Sequence, residues 1–209
     1  MRVVMTSAAV KKPPGPKHKS RCVSKVSDPR AEKTRALISG AFVLLLGRRP
    51  YTRIRVSDVT RKAGVGRATF YAHFASKDAL LSAELVRVVH PLLVPLPDDP
   101  CLVDCTAFFA HLQHAREIYR SLMAGESRVV AERIVQDALE ARIAQIVAQS
   151  PTQADAASAP PTFVPRFVAS TMLALIAWSL EHPEAPQPAQ LQGLYRSLVG
   201  RALHAAARD

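Results

Sequence analysis

The spacing of hydrophobic and polar positions predicts a chain built almost wholly of helices. From Pro29 to about Leu46, apolar residues recur every three or four positions, which is the spacing of one face of an α-helix. Asp28 or Ser27 is expected to cap this helix, and Gly47 to help end it. The predicted apolar stripe consists of Leu37, Ile38, Ala41, Leu44 and Leu45, with Phe42 beside it.

A glycine separates the next two helical patterns. The first covers Val56–Ala63, and the second opens at Gly66 and Arg67. Gly64 stands between them, where a helix needs a residue that adopts a left-handed conformation without steric cost. The facing apolar residues are Val59 and Ala63 on the first helix and Val65, Phe70 and Phe74 on the second. Two short helices with matching faces around a glycine turn predict a helix-turn-helix.

The second of these helices carries a cationic, hydrogen-bonding outer face. The predicted outward residues are Arg67, Thr69, Tyr71 and His73, with the small Ala68 and Ala72 between them. The major groove of B-DNA admits one such helix, whose N-terminal residues reach the base edges. Arg67 is the predicted reader of a base, with Thr69 and Tyr71 at base or sugar edges. A DNA-binding protein is therefore the leading hypothesis.

A further helix is expected directly after this one. Ser76 is a good N-cap and Asp78 favours the positive end of the helix dipole, so the helix should run from Ser76 to about Val89. Lys77 is then expected to stand beside the groove, where a phosphate would accept its hydrogen bond.

These residues resemble a known family. TFYAHFASKDALL, preceded by AGVGRA, is similar to the signature of the TetR family of bacterial transcription regulators, and the resemblance runs from about Lys33 to Leu85. It implies His73 and Lys77 as phosphate contacts, with Ser57 near the groove. Where the family usually has a capping Thr, this chain has Arg55, which leaves Arg55 to contact phosphate. A weaker resemblance, to a subgroup that includes dihydroxyacetone-kinase regulators, covers HLQHAREIYRSLMAG and FVASTMLALIAWSLEH.

Charge is distributed unevenly along the chain. Residues 1–90 hold 19 Lys/Arg against 5 Asp/Glu, whereas the remaining residues hold 9 against 12. A basic front half joined to a mildly acidic back half indicates polyanion binding by the front alone. Residues 1–27 are predicted to be a basic disordered tail, because KKPPGPKHKSR combines three prolines with five Lys/Arg. Such an arm would contact the DNA backbone or the minor groove.

Prolines mark the expected boundary between two domains. Four of them fall in PLLVPLPDDP, so we place a helix-turn-helix DNA-binding domain at residues 28–90 and a helical ligand-binding and dimerisation domain at 91–209. No window after residue 100 shows sustained strand alternation, so the predicted fold class is all-α, with a three-helix N-terminal domain and a C-terminal helical bundle. Residues 150–161 are predicted to be a low-complexity loop. The expected stripes of the bundle are Leu102, Cys105, Phe109 and Leu112; Ile118, Tyr119 and Leu122; and Val135, Leu139, Ile143, Ile146 and Val147.

The last two helical segments predict a dimer. Residues 163–180 are apolar almost all round, and a helix without a polar face must be buried on both sides. The final helix, from about Pro188, should cover one side, and a second copy of the chain the other, giving a homodimer through these two helices. Its predicted stripe is Leu191, Leu194, Leu198, Ala202 and Leu203. The longest apolar run is shorter than the roughly 20 residues that cross a bilayer, so no membrane span is expected.

The sequence gives little evidence for a metal site or a catalytic site. Cys101 and Cys105 lie one helical turn apart, but His111 falls well round the helix from them. Two buried small residues therefore explain the pair better than a zinc site does. The chain has no GxSxG, phosphate-loop or HExxH motif, and His73 has no carboxylate spaced to orient it as a base. No cofactor, metal or catalytic residue is predicted, and three cysteines indicate a reduced, cytoplasmic chain.

Apolar residues of the second domain are candidates for a pocket that binds an unidentified small-molecule effector. They are Phe108, Phe109, Tyr119, Met123, Met172 and Trp178, each of which is by itself more typical of core packing. Residues and resemblance together predict a ligand-responsive, sequence-specific transcription regulator, a repressor that binds a palindromic duplex DNA operator as a dimer. Two alternatives stay open. One is a sequence-tolerant architectural DNA-binding protein, and the other is an effector-binding or protein-interaction module with a vestigial DNA-binding domain.

Overall fold

Four helices form the first part of the chain, which we term the head. A computed structural model describes residues 28–96, 99–149, 160, 162–182, 184 and 186–206. The predicted basic tail, residues 1–27, lies outside them, as does nearly all of the predicted loop at residues 150–161. The helices of the head are α1 (Pro29–Leu46), α2 (Val56–Ala63), α3 (Arg67–His73) and α4 (Lys77–Leu92), with a 3₁₀ turn at Tyr51–Arg53 before α2.

The rest of the described chain, which we term the body, is a short hairpin followed by further helices. The hairpin strands are β1 (Val94–Leu96) and β2 (Asp99–Asp104). The helices are α5 (Thr106–His114), α6 (Arg116–Leu122), α7 (Arg128–Ala148), α8 (Phe163–Glu181) and α9 (Pro188–Ala206), with a 3₁₀ turn at Gly125–Ser127. Helices make up most of the residues that the structure describes, which confirms the all-α fold class.

The hairpin corrects the prediction that the body is helical throughout. β1 and β2 pair antiparallel, with Val94 opposite Asp104 and Pro95 opposite Val103. Leu102 therefore lies in a strand and belongs to no helical stripe. The reason is distant in sequence, because β2 is held by Gln192 of α9. Its Nε2 donates to the Val103 carbonyl at 3.2 Å, and its Oε1 accepts from the backbone amide of the buried Cys105 at 2.8 Å.

Helix α1 has the predicted bounds but a rotated core face. Asp28 caps it by accepting a hydrogen bond from the Arg30 amide at 3.0 Å. Leu37 and Leu44, predicted to face inward, are 49% and 53% exposed. The buried arc includes Phe42, whose ring meets the Tyr51 ring edge-on at 6.3 Å. At about 100° per residue, Leu37 and Leu44 fall outside that arc. The buried residues of α1 are Ile38, Ala41, Phe42, Leu45 and Leu46.

The helix-turn-helix forms as predicted around its glycine. Gly64 has a φ of 68°, the left-handed conformation that closes α2. Val59 of α2 and Phe70 of α3 are fully buried, and Phe74, directly after α3, is 3% exposed. These side chains join Ile38, Phe42 and Leu80 in the core of the head. Both short helices are thus held by a core that lies behind them, which leaves their other faces open.

Head and body meet along α4. This helix runs past Pro91 to Leu92, so the predicted domain boundary at residue 90 falls in its last turn. The guanidinium of Arg142 on α7 donates to the Leu93 carbonyl at 2.9 and 3.2 Å, which ties the end of α4 to the body. On α7, Val135, Leu139, Ile143 and Ile146 are buried as predicted, and Val147 is half-buried.

Helices α8 and α9 each have an inward and an outward apolar face. Met172 and Ile176 of α8 are buried, whereas Trp178 is 39% exposed. On α9 the predicted single stripe is wrong, because Leu194 and Leu198 are 40% and 49% exposed and Ala202 is also exposed. The inward residues of α9 are Leu191, Tyr195 and Val199. By length and composition α8 would suit a membrane span, but half of that stretch is buried in the fold, as in a core helix.

Candidate nucleic-acid interface

Helix α3 presents a short exposed face that rests on two buried phenyl rings. The Phe70 and Phe74 rings lie 5.9 Å apart and anchor the inner side of the helix. The exposed residues are Arg67, Ala68, Tyr71 and Ala72. Thr69 and His73 are half-buried on the flank, so the predicted outward face is corrected at these two positions. Helix geometry gives the reason, because residues i and i+4 share a face and residues i and i+2 do not.

Arg67 and Tyr71 dominate this exposed face. Arg67 is the first residue of α3 and is exposed, next to the N-cap Gly66. Tyr71 is 56% exposed, and its ring meets the buried Phe70 ring edge-on at 5.4 Å, which limits the orientations of the phenol. The other exposed residues of this face, Ala68 and Ala72, carry only methyl groups, so the floor of a groove can approach the helix backbone closely.

Helix α2 begins without the capping side chain usual in the resembled family. Arg55 occupies the N-cap position, and a guanidinium cannot accept a hydrogen bond. Asp58 supplies one half of the cap instead, because its carboxylate accepts from the Arg55 amide at 3.0 Å. The Arg55 side chain is exposed and Ser57 is half-buried. The start of α2 therefore leaves a cation available at the surface.

A basic groove of about 330 Å³ lies between the end of α1 and α2. Arg48, Arg49, Arg61 and Lys62 line it together with Asp58. Asp58 pairs with Arg61 at 2.6 Å and with Arg49 at 3.9 Å. The hydrogen bond from the Arg55 amide, helped by these arginines, holds the pKa of Asp58 below its ordinary value. Sequence reasoning did not count these four cations among the DNA-binding residues, although the pairs RR and RK at the ends of α1 and α2 could have signalled them.

Lys77 does not occupy the position that the sequence predicted for it. Its ammonium donates to the Tyr51 carbonyl at 2.9 Å and to the Ile54 carbonyl at 3.0 Å, and lies 3.9 Å from the centre of the Tyr51 ring. Burial lowers the pKa of Lys77. The Tyr51 hydroxyl in turn donates to Asp78, and burial together with this bond raises the pKa of Tyr51. Lys77 thus clamps the turn before α2 to the start of α4.

A second clamp joins α1 to the end of α3. The Arg35 guanidinium lies 4.5 Å from the centre of the Phe74 ring, in a cation–π contact. Ser76 caps α4 as predicted, accepting from the Ala79 amide at 3.0 Å. These contacts fix α3 relative to its neighbours, so its exposed face is presented in one orientation.

The structure does not gather the six predicted pocket residues into one site. Phe108, Phe109 and Met172 are buried in the core. Trp178 lies at the surface, stacked on His182 with ring centres 4.9 Å apart. Met123 is half-buried and lines a different surface groove, with Arg120 and Glu181. Tyr119 alone of the six lines the cavity between head and body.

Among the described residues, no group of three or more His, Cys, Asp or Glu side chains is arranged to hold a metal ion. Cys105 is buried, its thiol donates to Gln192 Oε1 at 2.7 Å, and burial raises its pKa. The Cys101 side chain lies outside the described structure. Cys105 therefore acts as a packed, hydrogen-bonded core residue.

Comparison with known proteins finds a family model that matches part of the head. Residues 38–83 match the family described as bacterial regulatory proteins, tetR family. A 75-residue stretch, 35% of this chain, is 37% identical to an uncharacterized HTH-type transcriptional regulator, YxbF of Bacillus subtilis (strain 168). That stretch covers 19% of the relative, so the similarity spans about one fifth of the length of that protein.

Solved structures resemble the chain over most of its length. A TetR transcriptional regulator from Streptococcus agalactiae 2603V is 24% identical with a TM-score of 0.54, over 81% of this chain and 95% of that one. RolR in complex with resorcinol is 17% identical with a TM-score of 0.57, over 86% and 93% of the chains. The dihydroxyacetone kinase operon activator DhaS is 20% identical with a TM-score of 0.51, over 84% and 96%. At these identities the similarity shows a shared fold.

Proposed function

We propose that this chain, a member of the TetR family through its residues 38–83, is a cytoplasmic transcription regulator that binds a palindromic duplex DNA operator as a homodimer. The exposed face of α3 is the observation that carries this proposal. It places one arginine at the N-terminal end of a helix whose other side is fixed by Phe70 and Phe74. A helix in that state fits a major groove with its first residues at the base edges.

Base recognition in this proposal belongs to α3. Arg67 forms a bidentate contact with a guanine, and Tyr71 meets a base or sugar edge. Ala68 and Ala72 permit the close approach, while Thr69 and His73, on the flank, reach sugar or phosphate. The phosphates beside the groove pair with Arg55 and Ser57 at the start of α2, and with the cations of the basic groove. Lys77 takes part through its hold on the turn before α2.

Dimerisation sets the geometry of the operator. The outward apolar residues of α8 and α9, among them Trp178, Leu194 and Leu198, support a contact between two copies of these helices. A twofold dimer would place two α3 helices in successive major grooves, about 34–36 Å apart along the duplex. The palindrome would follow from the symmetry of the protein.

Regulation by a small molecule completes the proposal. A ligand held in the body would favour one spacing of the two heads over another, and it would release a repressor by its different affinity for the two arrangements. The structurally similar RolR is complexed with resorcinol, which supports a small molecule as the effector.

Selection from random duplex sequences with the full chain tests DNA recognition. We expect enrichment of one palindrome. On that site Arg67→Ala should cost about 1–3 kcal/mol of binding free energy and blunt discrimination at one base pair of each half-site. Arg133→Ala, which removes an exposed arginine from α7, is the matched control and should bind as wild type does. Measurement is by titration in gel-shift or anisotropy assays at fixed salt.

Two outcomes would count against the proposal. Absence of any enriched duplex at low salt would reject DNA binding by the head. Full retention of base preference in Arg67→Ala would reject Arg67 as the reader.

A chain that begins at residue 28 and still footprints a single palindrome would exclude an architectural protein dominated by its basic tail.

A further inference from the structure

A cavity of about 130 Å³ lies where head and body meet. One part of its wall comes from the head, with Val43 and Leu46 on α1 and Leu85 on α4. The other part comes from the body, with Ile118 and Leu122 on α6. Any molecule that fills this space therefore contacts both units at once.

The size and lining of the cavity suit a ligand with one small ring. An apolar cavity of about 150 Å³ holds one benzene molecule, so a pocket of about 130 Å³ has room for a single six-membered ring. The walls are mostly aliphatic, so water in this partly open pocket finds polar partners only near Glu84, Arg87 and His111. Filling the space with carbon would add dispersion contacts that the present walls lack.

Polar groups line part of the same cavity. Glu84 is 7% exposed, and its Oε2 accepts from Arg87 Nε at 3.1 Å and Nη2 at 2.8 Å. His111 lies beside them, edge-on to the Tyr119 ring at 5.9 Å. Burial is the main cause that lowers the pKa of His111, and His114 and Arg87 add to it. This favours the neutral ring, which offers one donor and one acceptor. A hydroxyl group finds partners here, whereas a carboxylate would meet the Glu84 carboxylate, with which Arg87 is already paired.

We propose that this joint cavity, between α1 and α4 of the head and α5 and α6 of the body, binds a neutral, benzene-sized ring that carries one hydroxyl group, such as a simple phenol. The ring would lie among Leu46, Leu85 and Leu122, with its hydroxyl towards Glu84 and His111. Because the ligand touches both units, its binding free energy depends on how the head sits on the body. This coupling rests on the function proposed above, whereas the binding itself does not.

Binding is tested on the full chain without DNA, by calorimetric titration with phenol. Wild type should saturate at one phenol per chain. Ala115→Leu adds three carbons to the cavity wall at a residue of negative φ, where leucine is not strained, and should weaken binding by at least about tenfold. Ala110→Leu, the same change at an exposed position of α5, should leave it unchanged. Absence of saturable binding in wild type, or wild-type affinity in Ala115→Leu, would overturn the site.

A second variant guards against misfolding of the first. Leu122→Ala enlarges the cavity and should gain affinity for 2-naphthol by at least about tenfold over wild type. Circular dichroism confirms that each variant is folded. Equal affinity of this variant and wild type for 2-naphthol would contradict the assigned location, and benzoate binding as tightly as phenol would contradict the assigned ligand chemistry.

The regulatory consequence is tested separately on the selected duplex. Phenol should shift the DNA affinity of wild type and of Ala110→Leu and have no effect on Ala115→Leu. Phenol binding without such a shift would overturn the coupling while leaving the site in place. Failure to bind DNA in the absence of phenol would instead reject the proposed function, and the calorimetric result would still stand.

Discussion

Arg67 and Lys77 are both cations of the head, yet their surroundings give them opposite tasks. Arg67 is exposed at the start of α3, whereas the Lys77 ammonium is turned inward onto two backbone carbonyls. The sequence places Lys77 beside a helix that resembles a DNA reader, so a phosphate contact was a reasonable prediction. It could not show that the Tyr51 and Ile54 carbonyls, 26 and 23 residues earlier, lie within reach. The role of a charged side chain therefore depends on hydrogen-bond partners that only the folded structure brings close to it.

Removal of the Lys77 ammonium should therefore mainly lower the stability of the fold. Lys77→Ala leaves two carbonyls without their charged donor, and we expect the free energy of unfolding to fall by about 1–3 kcal/mol. The measurement is urea unfolding followed by circular dichroism. Lys62→Ala, at an exposed position of α2, is the control and should change stability little. If Lys77→Ala leaves stability unchanged and weakens binding to all DNA sequences equally, Lys77 is a phosphate contact after all.

At the scale of elements, local signals were sufficient for the head and insufficient for parts of the body. Cap residues, the glycine turn and the phenylalanine spacing predicted α1, α2 and α3, because each depends on neighbours within a few residues. The β1–β2 hairpin was missed, since β2 takes its partners from α9 far along the chain. The face of α3 was half right, because alternate residues were assigned outward where helix geometry exposes positions four apart.

Two glycines of the head, one at the end of a helix and one inside a helix, allow a matched test of backbone conformation. Gly64 has a φ of 68°, and a Cβ built there meets nothing within 4 Å, so Gly64→Ala carries only backbone strain. We expect it to lower the free energy of unfolding by about 1 kcal/mol. Gly40 lies inside α1 with equally open space, so Gly40→Ala should raise stability by about 0.5–1 kcal/mol. Urea unfolding measures both, and a stabilising Gly64→Ala would contradict the left-handed turn.

For the whole molecule, the decisive property is that α8 and α9 carry apolar residues on both faces. The inward set completes the body, and the outward set includes Trp178, Leu194 and Leu198. The sequence predicted that a single chain cannot cover α8, although it assigned the stripe of α9 to the wrong side. Periodicity counts apolar positions, and only the packing of α9 on β2 and α5 decides which of them point inward. The same helices that close the core are then available to a second copy.

Leucine at position 198 provides a direct test of that association. A twofold contact places the same residue in the interface twice, so Leu198→Glu would bury two unpaired carboxylates, and each costs several kcal/mol. We expect wild type to sediment as a dimer and Leu198→Glu as a monomer at the same concentration. Leu37→Glu is the matched control, because Leu37 on α1 is as exposed as Leu198, at 49% each, and lies away from α8 and α9. A dimeric Leu198→Glu, or a monomeric wild type, would place the interface elsewhere or remove it. Because operator binding requires two heads at a fixed spacing, the monomeric variant should also lose affinity for the palindrome while it retains the base preference of a single half-site.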